Sequence, residues 1–191
     1  MNRAHAEKLL VGIIGMDDHG DEEPVSPFAI QAAEEVGRLI AQRGGILLSG
    51  GRRGIMEAAS RGANLAGGIV VAFLPGSSKS EANPYVTVPL ATGLGDIRNH
   101  LTIRASDVVI MISGSTGTLN EATITYWQKP LVVLEGTGGW SDRLREIAYK
   151  GRHLDERGSA EIVFVTTPEE AVNKAIELAQ SKNQEIISAA T

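Results

Sequence analysis

The segment from Asp107 to Glu121, DVVIMISGSTGTLNE, holds the residues whose types and spacing best suit chemistry. Five apolar residues at 108–112 precede six small residues at 113–118, and a helical pattern follows at 119–127. A strand that enters a helix through a glycine-rich turn leaves free N–H groups at the helix N-terminus, where the helix dipole also favours an anion. The pattern therefore indicates an anion site.

The small residues of this turn are candidate phosphate ligands. Gly114 and Gly117 carry no Cβ that would stand between the backbone and a phosphate group. Thr116 and Thr118 can add hydroxyl donors beside Ser115. Turns of this composition also join strands to helices where no ligand binds, so both interpretations stay open at this point.

Glu121 has two interpretations. It follows Thr118 by three residues and therefore lies on the same helix face, where its carboxylate could face a ligand held at the turn. The same spacing is that of a T-x-x-E capping box, in which the glutamate bonds back to the N–H of the N-cap residue.

Strands and helices alternate along the chain. The pattern predicts strands at 9–15, 46–48, 69–74, 86–90, 108–112, 130–134 and 162–165. It predicts helices at 27–42, 55–65, 96–105, 119–127, 141–149 with Ser141 as N-cap, and from Thr167-Pro168 onward, fraying near Lys182. This order indicates one α/β domain over 1–191. We expect a Rossmann-like, doubly wound, mainly parallel sheet with helices on both faces.

Glycine-rich turns follow three of the predicted strands, and in such sheets ligands bind outside the carboxyl ends of the strands. The candidate ligand residues of the first two turns are Gly15, Gly50, Gly51, Arg52 and Gly54. Arg52 could clamp an anion or lie in solvent. The first strand has no G-x-G-x-x-G after it, and the chain has no Walker A lysine motif, which disfavours dinucleotide binding and P-loop hydrolysis.

Composition limits the classes of function. The 191 residues carry a net charge of −5, so the chain lacks the basic footprint of a nucleic-acid-binding protein. There is no cysteine, and no apolar segment is long enough to span a membrane, so we expect a cytoplasmic protein. The four histidines lack metal-ligand spacing, and the acidic run at 17–23 is more simply a charged loop than a Mg²⁺ site.

The two loops at 50–56 and 113–121 resemble the two signatures of a Rossmann-like superfamily often labelled "possible lysine decarboxylase". Its best-known members are the LONELY GUY phosphoribohydrolases, which release a cytokinin base from its nucleoside 5′-monophosphate. Their second signature reads P-G-G-x-G-T-x-x-E, with which Gly114, Gly117, Thr118 and Glu121 agree, whereas serines stand for the proline and the second glycine.

Those enzymes also carry an Arg-Lys pair, of which this chain keeps the arginine as Arg98 and has Asn99 in place of the lysine. For a hydrolase, the resemblance implies catalytic roles for Arg98 and Glu121 at an oxocarbenium-like ribose, with Asn99 among the binding residues. From the residues alone, Arg98 could instead lie in solvent or pair with Asp96 or Asp107.

The chain is also similar to the molybdenum cofactor carrier proteins, through Arg98-Asn99, the segment at 82–85 and the segment at 56–59. The resemblance implies a phosphorylated small-molecule ligand, and the candidates are a nucleotide, phosphate or molybdopterin, with no cofactor required. It leaves open whether the chain is a hydrolase, a non-catalytic carrier or a ligand sensor. It implies a homo-oligomer, dimer or tetramer, and gives no support to decarboxylase activity, because no pyridoxal-phosphate lysine is evident.

Overall fold

A computed structural model of the protein describes residues 8–18 and 24–189, with side chains as far as Ser181. Seven strands of the described chain form one parallel sheet in the order β4-β3-β2-β1-β5-β6-β7. They are β1 (Leu10–Gly15), β2 (Ile46–Ser49), β3 (Ile69–Leu74), β4 (Val88–Ala91), β5 (Val108–Ile112), β6 (Leu131–Leu134) and β7 (Ile162–Val165). The chain winds outward from β1 to β4 and then returns to β5 on the other side of β1, so the topological switch point lies between β1 and β5.

Helices cover both faces of the sheet, as the sequence predicts. They are α1 (Pro27–Gln42), α2 (Ile55–Leu65), α3 (Arg98–Ala105), α4 (Thr116–Tyr126), α5 (Trp140–Ile147) and α6 (Pro168–Ala189). Buried apolar residues of α1, α2 and α6 lie in one core cluster, whereas Ala122 and Tyr126 of α4 and Leu144 of α5 lie in the other. None of the helices in the described residues is long and apolar enough to cross a membrane.

The buried strands explain why the sequence shows continuous apolar runs. In β5, Ile110 and Ile112 point into the cluster beneath α1, α2 and α6, while Val109 and Met111 point into the cluster beneath α4 and α5. Because successive side chains of a strand point to opposite faces, a strand covered on both faces must be apolar at every position.

Glycines let α1 and α2 cross in backbone contact. A Cβ built on Gly37 would meet the Ala59 carbonyl, and one built on Gly62 would meet the Glu34 carbonyl. No side chain separates the two helices at this crossing. The close contact fixes how α2, and the loop before it, lie against the first half of the sheet.

Three helices begin at residues other than those that the sequence predicts. α4 begins at Thr116, three residues before the predicted start, because a run of glycine, serine and threonine resembles a loop. α5 begins at Trp140 with Gly139 at the N-cap, so the prediction of Ser141 as N-cap is wrong. A 3₁₀ turn at Gly95–Ile97 precedes α3. The α6 backbone is helical to Ala189, past the predicted fraying point at Lys182. The side chains from Lys182 onward lie outside the described part of the chain.

Candidate functional site

The three glycine-rich loops predicted as ligand loops follow β1, β2 and β5, which are neighbours in the sheet. Their carboxyl ends, Gly15, Ser49 and Ile112, lie along one edge at the switch point. An open α/β sheet binds its ligands in the crevice at this position. The structure thus places the candidate residues of all three loops along one stretch of the sheet edge.

The N-terminus of α4 presents free amides at this edge. Ser115 is the N-cap residue, its backbone is extended, and no side chain makes a capping hydrogen bond there. Leu119 is the first α4 residue whose N–H reaches a carbonyl of the turn, that of Ser115 at 3.1 Å. Thr116, Gly117 and Thr118 therefore occupy the first helical turn, whose N–H groups have no acceptor within the helix.

Gly117 faces open space. A Cβ built on Gly117 would have only the Ser115 hydroxyl oxygen nearby, at 3.9 Å. Gly114 is different, because its φ is +128° and a Cβ there would press against the Thr118 side chain at 2.7 Å. Of the two glycines, Gly117 leaves room for a ligand, and Gly114 is required by the turn itself.

The capping-box interpretation of Thr118 and Glu121 is wrong. Because the helix begins at Thr116, Thr118 is its third residue and Glu121 its sixth, beyond reach of the N-cap N–H. The chain does contain such a box at α6, where the Glu170 N–H donates to Thr167 Oγ1 and the Thr167 N–H donates to Glu170 Oε2, both at 3.2 Å.

Glu121 instead lies beside Arg98. Arg98 Nη1 is 3.7 Å from Glu121 Oε1, and both side chains are 11% exposed. Burial raises the pKa of the Glu121 carboxyl to about 7, Arg98 opposes that increase, and Asp96 adds to it. Burial also lowers the pKa of Arg98, although Glu121 favours its charged form. The ion pair is thus with Glu121, rather than with Asp96 or Asp107 as the sequence allowed.

Arg98 joins the β2 loop to the β5 loop. A Cβ built on Gly50 would lie against the Arg98 guanidinium, so Gly50 is required for the arginine to pack there. Nε and Nη1 of Arg98 and Oδ1 of the buried Asn99 have no hydrogen-bond partner in the described chain. Buried polar atoms are nearly always satisfied, so unpartnered ones at such a place are available to bind a water or a ligand.

Protein contacts account for the other glycines of the first two loops. A Cβ on Gly15 would meet the Ile112 carbonyl oxygen at 2.6 Å, and one on Gly51 would meet the Ala72 side chain. Gly54 is the N-cap of α2 with a φ of +63°, packed against the Met16 carbonyl. The structure brings these residues to the sheet edge, but each is glycine for reasons of packing or backbone conformation.

Asp17 pairs with both arginines of the β2 loop. Its Oδ2 lies 3.2 Å from Arg52 Nε, and its Oδ1 lies 3.9 Å from Arg53 Nε. The Asn83 side chain holds the same loop by donating to the Gly51 and Arg52 carbonyls at 3.1 and 2.9 Å. The local sequence around Asn83 does not predict these hydrogen bonds, and only the resemblance of the segment at 82–85 to the carrier proteins drew attention to it.

The loop after β6 contacts the β5 loop, although no sequence motif singled it out. The Thr137 hydroxyl accepts from the Ser113 N–H at 2.8 Å, and the Ser141 hydroxyl donates to the Ser113 carbonyl at 2.7 Å. A Cβ on Gly139 would collide with the Gly114 backbone. The available signal was the glycine-rich composition at 136–139 directly after a buried strand.

Among the described residues, no group of three histidine, aspartate or glutamate side chains could hold a metal ion. Part of the acidic run considered for Mg²⁺, at 19–23, lies outside them, as do two of the four histidines.

Comparison with known proteins gives a family and a set of structural relatives. The family model described as the SLOG cluster4 family matches residues 8–172. An uncharacterised protein of Archaeoglobus fulgidus is 36% identical over 135 residues, 67% of this chain and 85% of the relative. The solved structure of TM1055, a structural genomics target, is 37% identical with a TM-score of 0.83, covering 88% of this chain and 99% of that one.

Two further structures are named for the molybdenum cofactor. The molybdenum cofactor binding protein of the phototrophic bacterium Rippkaea orientalis is 29% identical with a TM-score of 0.71, over 92% of this chain and 98% of that one. The molybdenum cofactor carrier protein of Chlamydomonas reinhardtii is 25% identical with a TM-score of 0.69, over 90% and 98%. DNA processing protein A of Helicobacter pylori, at 21% identity, shares the fold.

Proposed function

Because the chain belongs to the SLOG cluster4 family, we propose that it binds a phosphorylated small molecule at the carboxyl edge of the sheet, with the phosphate at the N-terminus of α4. The observation that carries the proposal is the pairing of an open helix N-terminus with a buried arginine. Thr116, Gly117 and Thr118 offer N–H groups without helical acceptors, and two buried nitrogens of Arg98 make no hydrogen bond within the described chain. Both features favour an anion.

The rest of the ligand lies toward the β2 loop in this proposal. Arg98 is packed on Gly50, and Arg52 is held nearby by Asp17. The β2 and β5 loops flank the carboxyl end of β1, and the proposal puts this part of the ligand between them. Asn99, beside Arg98, has a buried side-chain oxygen free to accept a hydrogen bond from a ligand or a bridging water.

A carrier of a phosphorylated pterin such as molybdenum cofactor is the proposal that the relatives favour. Two of the related structures match at least nine tenths of this chain, and their names say that they bind or carry the molybdenum cofactor. Carriage requires no catalytic group, and in this role Glu121 serves as the counter-charge that keeps Arg98 in place.

N-glycoside hydrolysis of a nucleoside 5′-monophosphate is the second candidate, favoured by the ionisation of Glu121. A carboxyl group with a pKa of about 7 can exchange protons near neutral pH, which suits general acid–base assistance. Glu121 follows Gly117 by four residues, so it lies one helical turn below the proposed phosphate site. As a carboxylate, it would stabilise positive charge on the ribose.

Mass spectrometry of ligand released from freshly purified protein tests the proposal. We expect a phosphorylated compound, and a pterin would support the carrier. Incubation with nucleoside 5′-monophosphates then tests the second candidate, because release of free base would support hydrolysis. The proposal would be contradicted if the protein co-purified with no phosphorylated compound and also bound neither nucleoside monophosphates nor molybdopterin when they were added.

A further inference from the structure

The β5 loop has a strained backbone that its own residues do not explain. Ser113 has a φ of +57°, which costs a residue other than glycine about 1 kcal/mol or more, and Gly114 follows with a φ of +128°. Proline, which stands at the position of Ser113 in the signature that this loop resembles, cannot adopt such a φ because its ring fixes φ near −65°. Contacts from outside the loop must hold this conformation.

Those contacts come from the β6–α5 loop, residues 135–139, and the first turn of α5. Trp140 N–H donates to the Gly114 carbonyl at 2.9 Å, and the Ser141 N–H and hydroxyl both donate to the Ser113 carbonyl, at 3.2 and 2.7 Å. Thr137 accepts from the Ser113 N–H and donates to the Leu134 carbonyl at 2.7 Å. The N-terminus of α5 is therefore occupied by carbonyl groups of the β5 loop.

This arrangement decides which way the amides of the β5 loop point. In a trans peptide the C=O and the following N–H point in opposite directions. Because the Ser113 and Gly114 carbonyls point at α5, the N–H groups of Gly114 and Ser115 point away from it. Carbonyl oxygens that would repel an anion are thereby turned into α5, and the loop keeps its amides for a ligand.

We infer that Thr137 and Ser141 are positioning residues, which hold the Ser113–Gly114 backbone so that the amides from Gly114 to Thr118 are preorganised for a phosphate group. Both side chains are fully buried, at 1% and 0% exposed, so neither can contact a ligand directly. They act through the backbone that they hold. Preorganised donors bind an anion without the cost of ordering the loop at the moment of binding. The inference rests on the proposed function.

The test is the affinity of the protein for inorganic phosphate, measured at constant ionic strength from the amide shifts of residues 115–118 in ¹H–¹⁵N spectra. Thr137→Val keeps the shape of the side chain but removes both hydrogen bonds. We expect the phosphate Kd to rise about tenfold, the equivalent of one lost hydrogen bond of ordinary strength. Thr137→Ser restores the hydroxyl and should stay within about twofold of wild type by the same reasoning.

Two further variants separate positioning from general loss of stability. Ser141→Ala removes a single side-chain bond and should weaken phosphate binding less than Thr137→Val does. Val172→Ala, in the buried face of α6, destabilises the other core cluster and should leave the phosphate Kd unchanged. Equal phosphate affinity in wild type and folded Thr137→Val would overturn the inference but would leave the proposed function standing. Absence of phosphate-induced shifts at residues 115–118 in the wild type would overturn the proposed function and the inference with it.

Discussion

Glu121 is a buried carboxyl group whose ionisation should make the stability of the protein depend on pH. Its pKa is raised from 4.5 to about 7, so between these values the native state binds more protons than the unfolded state. The free energy of unfolding should therefore fall as pH rises from 4.5 to 7 and level off above 7. Glu121→Gln removes this contribution. The unfolding free energy of the variant minus that of the wild type should therefore increase by about 3 kcal/mol from pH 4.5 to pH 8.

Urea unfolding of both proteins across this pH range measures the effect. Glu146→Gln, at an exposed position on α5, is the control for loss of one negative charge. If the unfolding free energies of the wild type and Glu121→Gln changed equally with pH over the whole range, burial would not disfavour the charged form of Glu121, and this account would be wrong.

The same variant tests the catalytic role of Glu121. If the protein hydrolyses nucleoside monophosphates, Glu121→Gln should lower the rate of base release about 10²-fold or more, the usual loss when acid–base assistance is removed. Glu121→Gln should leave the hydrogen bonds at the N-terminus of α4 unchanged, because Glu121 does not cap that helix. Chromatographic assay of free base decides the point, and an equally active variant would remove Glu121 from the mechanism.

Substitution of Gly117 tests whether the phosphate binds at the N-terminus of α4. A Cβ at this position meets no protein atom closer than 3.9 Å, so Gly117→Val should fold. Its side chain would nevertheless stand over the first-turn amides of α4. We expect binding of phosphate and phosphorylated ligands to be lost, while Gly117→Ala retains part of it. Undiminished affinity by isothermal titration in folded Gly117→Val would show that the ligand binds elsewhere.

The crossing of α1 and α2 should be intolerant of even one methyl group. A Cβ on Gly62 would collide with the Glu34 backbone, which cannot move like the end of a flexible side chain. We expect Gly62→Ala to lower the free energy of unfolding by about 2 kcal/mol or more through overpacking. Gly117→Ala is the matched control, because it adds the same methyl group to a helix in open space. A neutral Gly62→Ala in urea unfolding would contradict this account.

Elements and site residues differed in how well the sequence predicted them. Apolar runs and helical spacing depend on burial, which the sequence carries directly, so α1, α2, β3 and β5 begin and end where predicted. The start of α4 was missed, because Ser-Gly-Ser-Thr-Gly-Thr has weak helical propensity and only tertiary contacts fix where its helix begins. The roles of Thr137 and Ser141 depend on two loops far apart in sequence, and no local pattern records that contact.

Exposed large apolar side chains lie on α3 and α4, two helices that pack together. They are Ile97 just before α3, Leu101 within α3 and Trp127 just after α4, which are 67%, 36% and 62% exposed. Tyr126 and Ile124, by contrast, are buried in the protomer. Exposed large apolar side chains on neighbouring helices are typical of a protein–protein interface. We expect this surface to join protomers in a homo-oligomer.

Light scattering at micromolar concentration should give at least twice the chain mass of 20.2 kDa for the wild type. Ile97→Asp combined with Trp127→Ser should reduce the mass to that of a monomer, because burying an unpaired carboxylate in an apolar interface costs several kcal/mol. Leu65→Asp, at a position 72% exposed at the end of α2, makes a comparable surface change on another helix and should leave the oligomer intact. A monomeric wild type would refute the assembly, whereas dissociation by Leu65→Asp alone would move the interface to the α1–α2 side of the molecule.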